Sequence, residues 1–181
     1  KKNIITTLSY VYRKKPSYSY ECLINYAGAT VSWLCENLQI INYPNETNKI
    51  FTRTNNANGV IFVPAFVGLS SPHWLPKCEG MIYGLTPSVN KNHIIRAALE
   101  SIAFQIKDYL DDLKKNKKIS CNNIYVDGGI VSNLSFMEFL SNILNRKLYV
   151  TDFHDMSSYG SLLMGLLGMK IEKNLETISK F

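Results

Sequence analysis

The chain has little of what marks a membrane-spanning or secreted protein. Its 181 residues contain no apolar run that approaches the roughly 20 residues of a membrane-spanning helix. The first residues lead into a polar and aromatic pattern and not into the apolar segment of a signal peptide. We therefore expect a cytoplasmic chain, and 46% hydrophobic with 19% charged residues is typical of a globular domain.

Cysteine is scarce, and its spacing excludes common metal and disulfide frameworks. The four cysteines stand far apart, without a CxxC pair or an adjacent histidine, so a zinc site is not indicated. In an intracellular protein the default for each is a free thiol. The sequence therefore predicts no metal ligands and reduced thiols at Cys22, Cys35, Cys78 and Cys121.

Acidic residues are outnumbered, with 14 aspartates and glutamates against 20 lysines and arginines and a formal net charge of +6. Such an excess can indicate a nucleic-acid partner. The lysines, however, cluster in residues 14–15 and 114–118, where turns or helix ends are expected. Because a cationic helix end complements the helix dipole, we interpret these runs as structural and predict no nucleic-acid partner.

The most informative stretch is 124–133, Ile-Tyr-Val-Asp-Gly-Gly-Ile-Val-Ser-Asn. A β-branched and aromatic run predicts a buried strand, two glycines end it, and apolar residues at helical spacing follow. Adjacent glycines let a ligand approach the backbone, and a helix start offers unpaired N–H groups. This pattern favours a binding site for the phosphate or ribose of a nucleotide, although a purely structural turn would have the same pattern.

Other motifs occur along the chain in a fixed order. Asp127-Gly128-Gly129 followed by Asn133 resembles the adenosine motif of the FGGY carbohydrate kinases, in the actin and hexokinase superfamily. Further segments resemble that family: Tyr-Ala-Gly-Ala at 26–29, Pro-Ala-Phe to Trp-Leu-Pro at 64–76, Gly-Met-Ile-Tyr-Gly-Leu at 80–85, residues 93–103 and Tyr-Gly-Ser-Leu at 159–162. Together they cover roughly residues 4 to 170, and the Pro-Ala-Phe loop resembles the glycerol kinase branch.

The resemblance implies a fold and a place in a longer protein. It implies an α/β fold of the ribonuclease H-like type, with a mixed sheet and helices on both faces. Residues 1–181 would form the C-terminal, nucleotide-binding domain of a glycerol kinase, with the N-terminal domain absent from this chain. That enzyme would transfer the γ-phosphate of ATP to glycerol with Mg2+, in the cytoplasm and as a homo-oligomer, while this part alone would be nearly inert.

The resemblance also implies the site residues. The resemblance places the glycerol-binding residues, the catalytic aspartate and the first phosphate loop in segments expected before Lys1, so no catalytic residue or metal ligand is expected here. Ser32 departs from the longer amide that the family usually has. The nucleotide-binding residues carried over are Gly28, Val31, Ser32, Gly128, Gly129 and Asn133.

Two alternatives stay open. Another sugar kinase of the family, acting on xylulose or gluconate, shares the adenosine turn but more often has three glycines and lacks the Pro-Ala-Phe loop. A catalytically silent nucleotide-binding homologue is favoured by departures from the family pattern at Ser32, Leu75 and Glu79.

A few residues elsewhere have side chains suited to acid or base chemistry. His73 lies in a polar and aromatic loop, and Glu100 lies within a long apolar helical pattern with His93 and Arg96. A buried, paired carboxylate explains a mid-helix acid without catalysis, and packing explains the histidines. We interpret these residues as structural.

The periodicity predicts the order of elements. A hairpin with its turn at 13–17 should join a larger sheet, because two strands alone are marginal. Residues 43–58 should form a short polar helix and a loop without chemistry. The predicted strands are 4–12, 18–23, 60–66, 81–85, 124–126 and 147–151. Helices are predicted at 26–38 and 92–113, after Asn133, and from a cap within 155–158 to residue 167. The polar tail that follows is expected to fray.

Overall fold

A computed structural model describes residues 4–151 and 155–178. In chain order, its elements are β1 (Ile5–Tyr12), β2 (Lys15–Glu21), α1 (Gly28–Glu36), α2 (Glu46–Arg53), β3 (Ile61–Val63), β4 (Met81–Tyr83), α3 (Lys91–Lys117), β5 (Asn123–Val126), α4 (Leu134–Leu144), β6 (Lys147–Val150), α5 (Met156–Gly168) and α6 (Leu175–Ile178). A 3-10 turn, Gly129–Ser132, lies between β5 and α4. None of the helices in this part of the chain combines the length and apolar character needed to cross a membrane.

The predicted strand, turn and helix around residue 128 are confirmed as one parallel unit, but the expected burial of the strand is wrong, because Tyr125 is exposed and its neighbours are only partly buried. β5 and β6 pair in parallel, with Asn123 opposite Lys147 and Val126 opposite Val150. The 3-10 turn and α4 make the connection, as parallel strands require a crossover. The turn therefore lies at the carboxyl end of β5, where α/β folds place ligands.

The core lies where α1, α3 and α4 meet β3. Leu34, Ile95, Leu99 and Phe136 are less than 2% exposed and belong to one cluster with Phe62. Burying each such side chain contributes about 1.5–3 kcal/mol. These contacts hold the helices that carry the site in fixed relation to one another.

The β1–β2 hairpin differs from the prediction in two respects. Its turn is only Arg13 and Lys14, with φ of 48° and 65°, and β2 already begins at Lys15. Among the described residues it pairs with no third strand, so the expected larger sheet is wrong for this chain. Pro16 lies in β2 opposite Val11, and a proline without an N–H is compatible only with an edge strand.

Helix α3 is longer than predicted at its C-terminus. It continues through Lys117, so most of the 114–118 lysine run forms its last turn and not a connection. The interpretation of those lysines as a cationic helix end is confirmed. At the other end Asn90 caps the helix, and the His93 ring accepts a hydrogen bond from the Asn90 N–H at 3.1 Å.

Several other boundaries differ from the prediction. α1 is shorter, because Tyr26 and Leu38 lie outside it. β3 and β4 have only three residues each. The tail does not fray between Leu175 and Ile178, where α6 forms and Ile178 is buried.

Helix α5 is capped at Asp155 as predicted, and its glycines have open space around them. Asp155 accepts a hydrogen bond from the Ser158 N–H at 2.9 Å. Gly160 and Gly165 do not mark a close helix contact, because a Cβ built at either glycine meets no atom of the described residues within 4 Å.

Candidate functional site

The turn after β5 has two glycines with different conformations. Gly128 has φ 101° and ψ 172°, a region that only glycine adopts without strain. Gly129 then begins the 3-10 turn, and the Val131 N–H donates to the Gly128 carbonyl at 3.1 Å. Of the two glycines, only Gly128 therefore has a positive φ.

Asn133 ends this turn and begins α4. Its side-chain oxygen accepts a hydrogen bond from the Phe136 N–H at 3.0 Å, which satisfies one unpaired donor of the helix. The residue is only 2% exposed, and its Nδ2 has no hydrogen-bond partner among the described residues. Leaving a buried amide donor without a hydrogen-bond partner costs free energy, so Nδ2 of Asn133 is suited to donate a hydrogen bond to an acceptor on a ligand.

The N-terminus of α1 forms the opposite wall. Gly28 is its first residue, and no side chain caps it. A Cβ built on Gly28 meets no atom within 4 Å, so the glycine leaves open space. Val31, one turn on, is buried at the edge of the core.

The start of α2 supplies a third wall. Glu46 accepts hydrogen bonds from the N–H groups of Asn42 and Tyr43, both at 2.9 Å, and so fixes the turn before the helix. Asn48 Nδ2 donates to the Ser132 carbonyl at 3.5 Å, so α2 touches the 3-10 turn directly.

These elements enclose a mostly apolar cavity of about 300 Å3, named here the central cavity. That volume is at the lower end of the range for small-molecule sites. Its lining residues are Gly28, Val31, Pro44, Asn45, Thr47, Asn48, Gly129, Ile130, Ser132 and Asn133.

Four of the six predicted site residues meet in the central cavity: Gly28, Val31, Gly129 and Asn133. Gly128 is outside the lining and shapes the backbone that leads into it. Ser32 is exposed and does not line the cavity, so the structure does not bring it to the site.

Sequence reasoning missed the wall made by α2, together with Ile130 and Ser132. Residues 43–58 were predicted as a short polar helix and a loop without evident chemistry, and that prediction did not place them at the cavity. The signal in the sequence that could have indicated this wall was the group of asparagines at the start of a short helix. Nothing in their local pattern identifies the turn 80 residues later as their neighbour.

The central cavity can recognise a ligand but does not carry acid or base chemistry. None of its lining residues has a side chain that ionises near neutral pH. Of the acids close to its walls in sequence, Glu46 fixes the turn before α2, and Asp127 and Asp155 hold the N-terminus of α5. Asp127 accepts a hydrogen bond from the Met156 N–H at 3.2 Å. Hydrogen bonds from the Ser158 hydroxyl and N–H lower the pKa of Asp155, so it is a carboxylate at neutral pH.

The other candidate acids and bases have structural partners. His73 Nε2 lies 3.0 Å from Asp108 on the surface, and Arg96 pairs with Glu100 at 2.7 Å. His93 belongs to the cap of α3. Among the described residues no three His, Cys, Asp or Glu side chains form a group suited to a metal ion.

Comparison with known proteins places this arrangement in a family. The sequence model of the FGGY family of carbohydrate kinases, C-terminal domain, matches residues 5–169. The chain belongs to this family. The family predicted from the motifs is therefore confirmed.

Individual relatives agree with this assignment. A glycerol kinase of Vibrio parahaemolyticus serotype O3:K6 is 37% identical over 169 residues, which are 93% of this chain and 34% of that protein. The crystal structure of Plasmodium falciparum glycerol kinase with ADP superposes with a TM-score of 0.86 at 38% identity, covering 98% of this chain and 35% of that one.

A more distant FGGY relative shows the fold alone. A ligand-bound xylulose kinase from Lactobacillus acidophilus superposes with a TM-score of 0.72 at 21% identity, covering 85% of this chain and 31% of that one. The ribonuclease H-like fold predicted from the sequence is confirmed by these neighbours. The FGGY chain described here spans about a third of the length of the relatives it matches.

Proposed function

We propose that this chain is the C-terminal, nucleotide-binding half of a glycerol kinase and that its central cavity holds the adenosine end of ATP. The observation that carries the proposal is the meeting of Gly28 and Val31 with Gly129 and Asn133 in one cavity. Asn133 lines this cavity, and its amide nitrogen, which has no hydrogen-bond partner among the described residues, would suit an acceptor on the nucleotide. The similarity to a glycerol kinase solved with ADP supports the same ligand class.

The reaction proposed for the full-length protein is transfer of the γ-phosphate of ATP to glycerol, giving sn-glycerol 3-phosphate and ADP. This chain would position the nucleotide, and glycerol and the catalytic base would be held by the N-terminal domain. Positioning supplies much of the acceleration in phosphoryl transfer, so both halves are needed.

Mg2+ was predicted as a cofactor from the family resemblance. The described residues contain no group of three acidic, histidine or cysteine side chains that could hold it. A cytoplasmic location and assembly as a homo-oligomer stay predictions.

The silent-homologue alternative rests on Ser32, Leu75 and Glu79. All three residues are exposed, and none lines the central cavity. Their departure from the family pattern therefore leaves the proposed nucleotide wall unchanged, which favours retained nucleotide binding. Turnover is the property that separates this alternative from an active kinase.

The test is ATP-dependent phosphorylation by the full-length protein with glycerol, xylulose and gluconate as acceptors. We expect glycerol to be the preferred acceptor, measured as kcat/KM from coupled ADP release. Faster turnover of xylulose or gluconate would support the other sugar kinases. ADP binding without turnover of any acceptor would support the silent homologue.

A further inference from the structure

Arg96 of α3 makes an unusually complete set of contacts for a residue outside the central cavity. Its Nη1 donates to the carbonyls of Phe51 at 2.9 Å and Thr54 at 2.7 Å, which lie at the C-terminal end of α2. Its Nε donates to Glu100 Oε1 at 2.7 Å. The side chain is only 11% exposed, so these bonds form largely out of water.

The guanidinium also packs on aromatic rings. It lies 3.7 Å from the centroid of Phe51, within the range of a cation–π contact. Phe51 in turn meets Phe136 and Phe139 edge to face at 5.7 and 5.6 Å. Arg96 therefore joins α2 to α3 and, through Phe51, to α4.

These contacts act on a helix that depends on tertiary support. α2 has eight residues, and an isolated helix of that length is not stable in water. The last carbonyls of any helix lack partners within it, and Arg96 supplies a donor to this end. Glu100 holds the guanidinium in place from the next turn of α3.

The opposite end of the same helix forms a wall of the central cavity. Thr47 and Asn48 line it from the first turn of α2, and Asn45 immediately precedes them. Two hydrogen bonds join α2 directly to the 3-10 turn and to α4. Asn48 donates to the Ser132 carbonyl at 3.5 Å, and the hydroxyls of Thr52 and Ser135 lie 2.8 Å apart. These two bonds and the Arg96 anchor at the far end of α2 together hold this wall in place.

We propose that Arg96 is a positioning residue for nucleotide binding, acting through α2 on the wall of the central cavity that Asn45, Thr47 and Asn48 form. The proposal rests on the proposed function, because it takes an adenine nucleotide as the ligand of that cavity. In this scheme Arg96 does not contact the nucleotide. Its hydrogen-bond partners, Phe51, Thr54 and Glu100, do not line the central cavity.

The test compares Arg96→Lys with Leu113→Ala in the full-length protein. Lysine keeps the charge but lacks the planar fork that reaches two carbonyls and a carboxylate together. Leu113 is buried in α3 against Ile4 and Tyr109, about 25 Å along the helix from Arg96, so its truncation lowers stability without touching α2. The measurements are thermal melting, the Kd for ADP by calorimetry, and KM for ATP and for glycerol.

We expect Arg96→Lys to weaken ADP binding and raise KM for ATP by roughly tenfold, while KM for glycerol stays the same. Leu113→Ala should melt earlier and bind ADP as the unmodified protein does. Glu100→Gln keeps a hydrogen-bond acceptor for Arg96, so it should weaken ADP binding in the same direction but by less. This second variant tests the proposal if Arg96→Lys does not fold.

Unchanged ADP affinity in folded Arg96→Lys, or in Glu100→Gln if that is the only folded variant, would overturn the positioning role. Equal rises in KM for ATP and glycerol would overturn it too, since they indicate a general loss of structure. Absence of ADP binding by the unmodified protein is a different result, and it would refute the proposed function itself.

Discussion

At the scale of single residues, the two glycines of the turn have separate tasks. Gly128 takes a backbone conformation closed to other residues, at a cost of about 1–3 kcal/mol for any side chain placed there. Gly129 has no such requirement, and a Cβ built on it meets no protein atom within 4 Å. Its open space faces the central cavity, so a side chain there would compete with a ligand and not with the fold.

This difference makes Gly129→Val a sharp test of the site. We expect the variant to remain folded and to lose more than about 1.4 kcal/mol of ADP affinity, because valine fills the space of the nucleotide. ADP titration of the full-length variant measures the loss. A loss below about 1 kcal/mol would favour the purely structural interpretation of the turn.

Gly128→Ala is the matched comparison for that experiment. It should lower the melting temperature through backbone strain, while affinity of the remaining folded protein changes less than in Gly129→Val. The reverse order of effects would mean that the two glycines have been assigned the wrong tasks.

At the scale of elements, α4 begins at a residue with two separable functions. The Asn133 oxygen caps the helix through the Phe136 N–H, while the nitrogen is buried without a partner among the described residues, and the residue lines the central cavity. One side chain therefore links helix stability to the proposed ligand contact. Substitutions that keep only the oxygen separate the two.

We expect Asn133→Ala to lower the free energy of unfolding by about 1 kcal/mol, because the cap is lost. Asn133→Ser should recover most of that stability, since serine is a comparable cap. Both variants lack the amide donor, so both should bind ADP more weakly by about 1 kcal/mol. Chemical denaturation and ADP titration of the same samples give the two quantities, and normal ADP affinity in Asn133→Ser would exclude the donor role.

At the scale of the whole molecule, the central cavity formed by the described residues is lined without any ionisable side chain. The acids close to its walls in sequence have structural partners: Glu46 fixes the turn before α2, and Asp127 and Asp155 hold the start of α5. Chemistry in the proposed enzyme would therefore come from the other half of the cleft.

The corresponding prediction is that residues 1–181 alone do not phosphorylate glycerol, whereas the full-length protein does. Without the second domain the substrate hydroxyl and the phosphates are not held together, and positioning provides most of the acceleration. Coupled ADP release under identical conditions measures both, with circular dichroism to verify that the short chain is folded. Turnover by the short chain would direct attention to Asp127 and Asp155 as candidate bases.

The local parts of this structure were predictable. The turn at Gly128 and Gly129, the caps at Asn90 and Asp155, and α4 after Asn133 follow from residues close in sequence. Boundaries were less accurate where tertiary contacts decide them, as at the C-terminus of α3 and at the hairpin turn. Four residues of the site were predicted together because motif similarity marks them, whereas α2 has no comparable motif.

The sequence by itself determined the strand, the glycine turn and the capped helix, because backbone conformation and capping depend on residues within one or two turns. It also determined the family, through several motifs in a fixed order. Only the tertiary structure decided that α2 closes the central cavity and that Arg96 anchors it. That anchor joins Arg96 to carbonyls 45 and 42 residues away, and no local pattern specifies contacts between such distant parts of a chain.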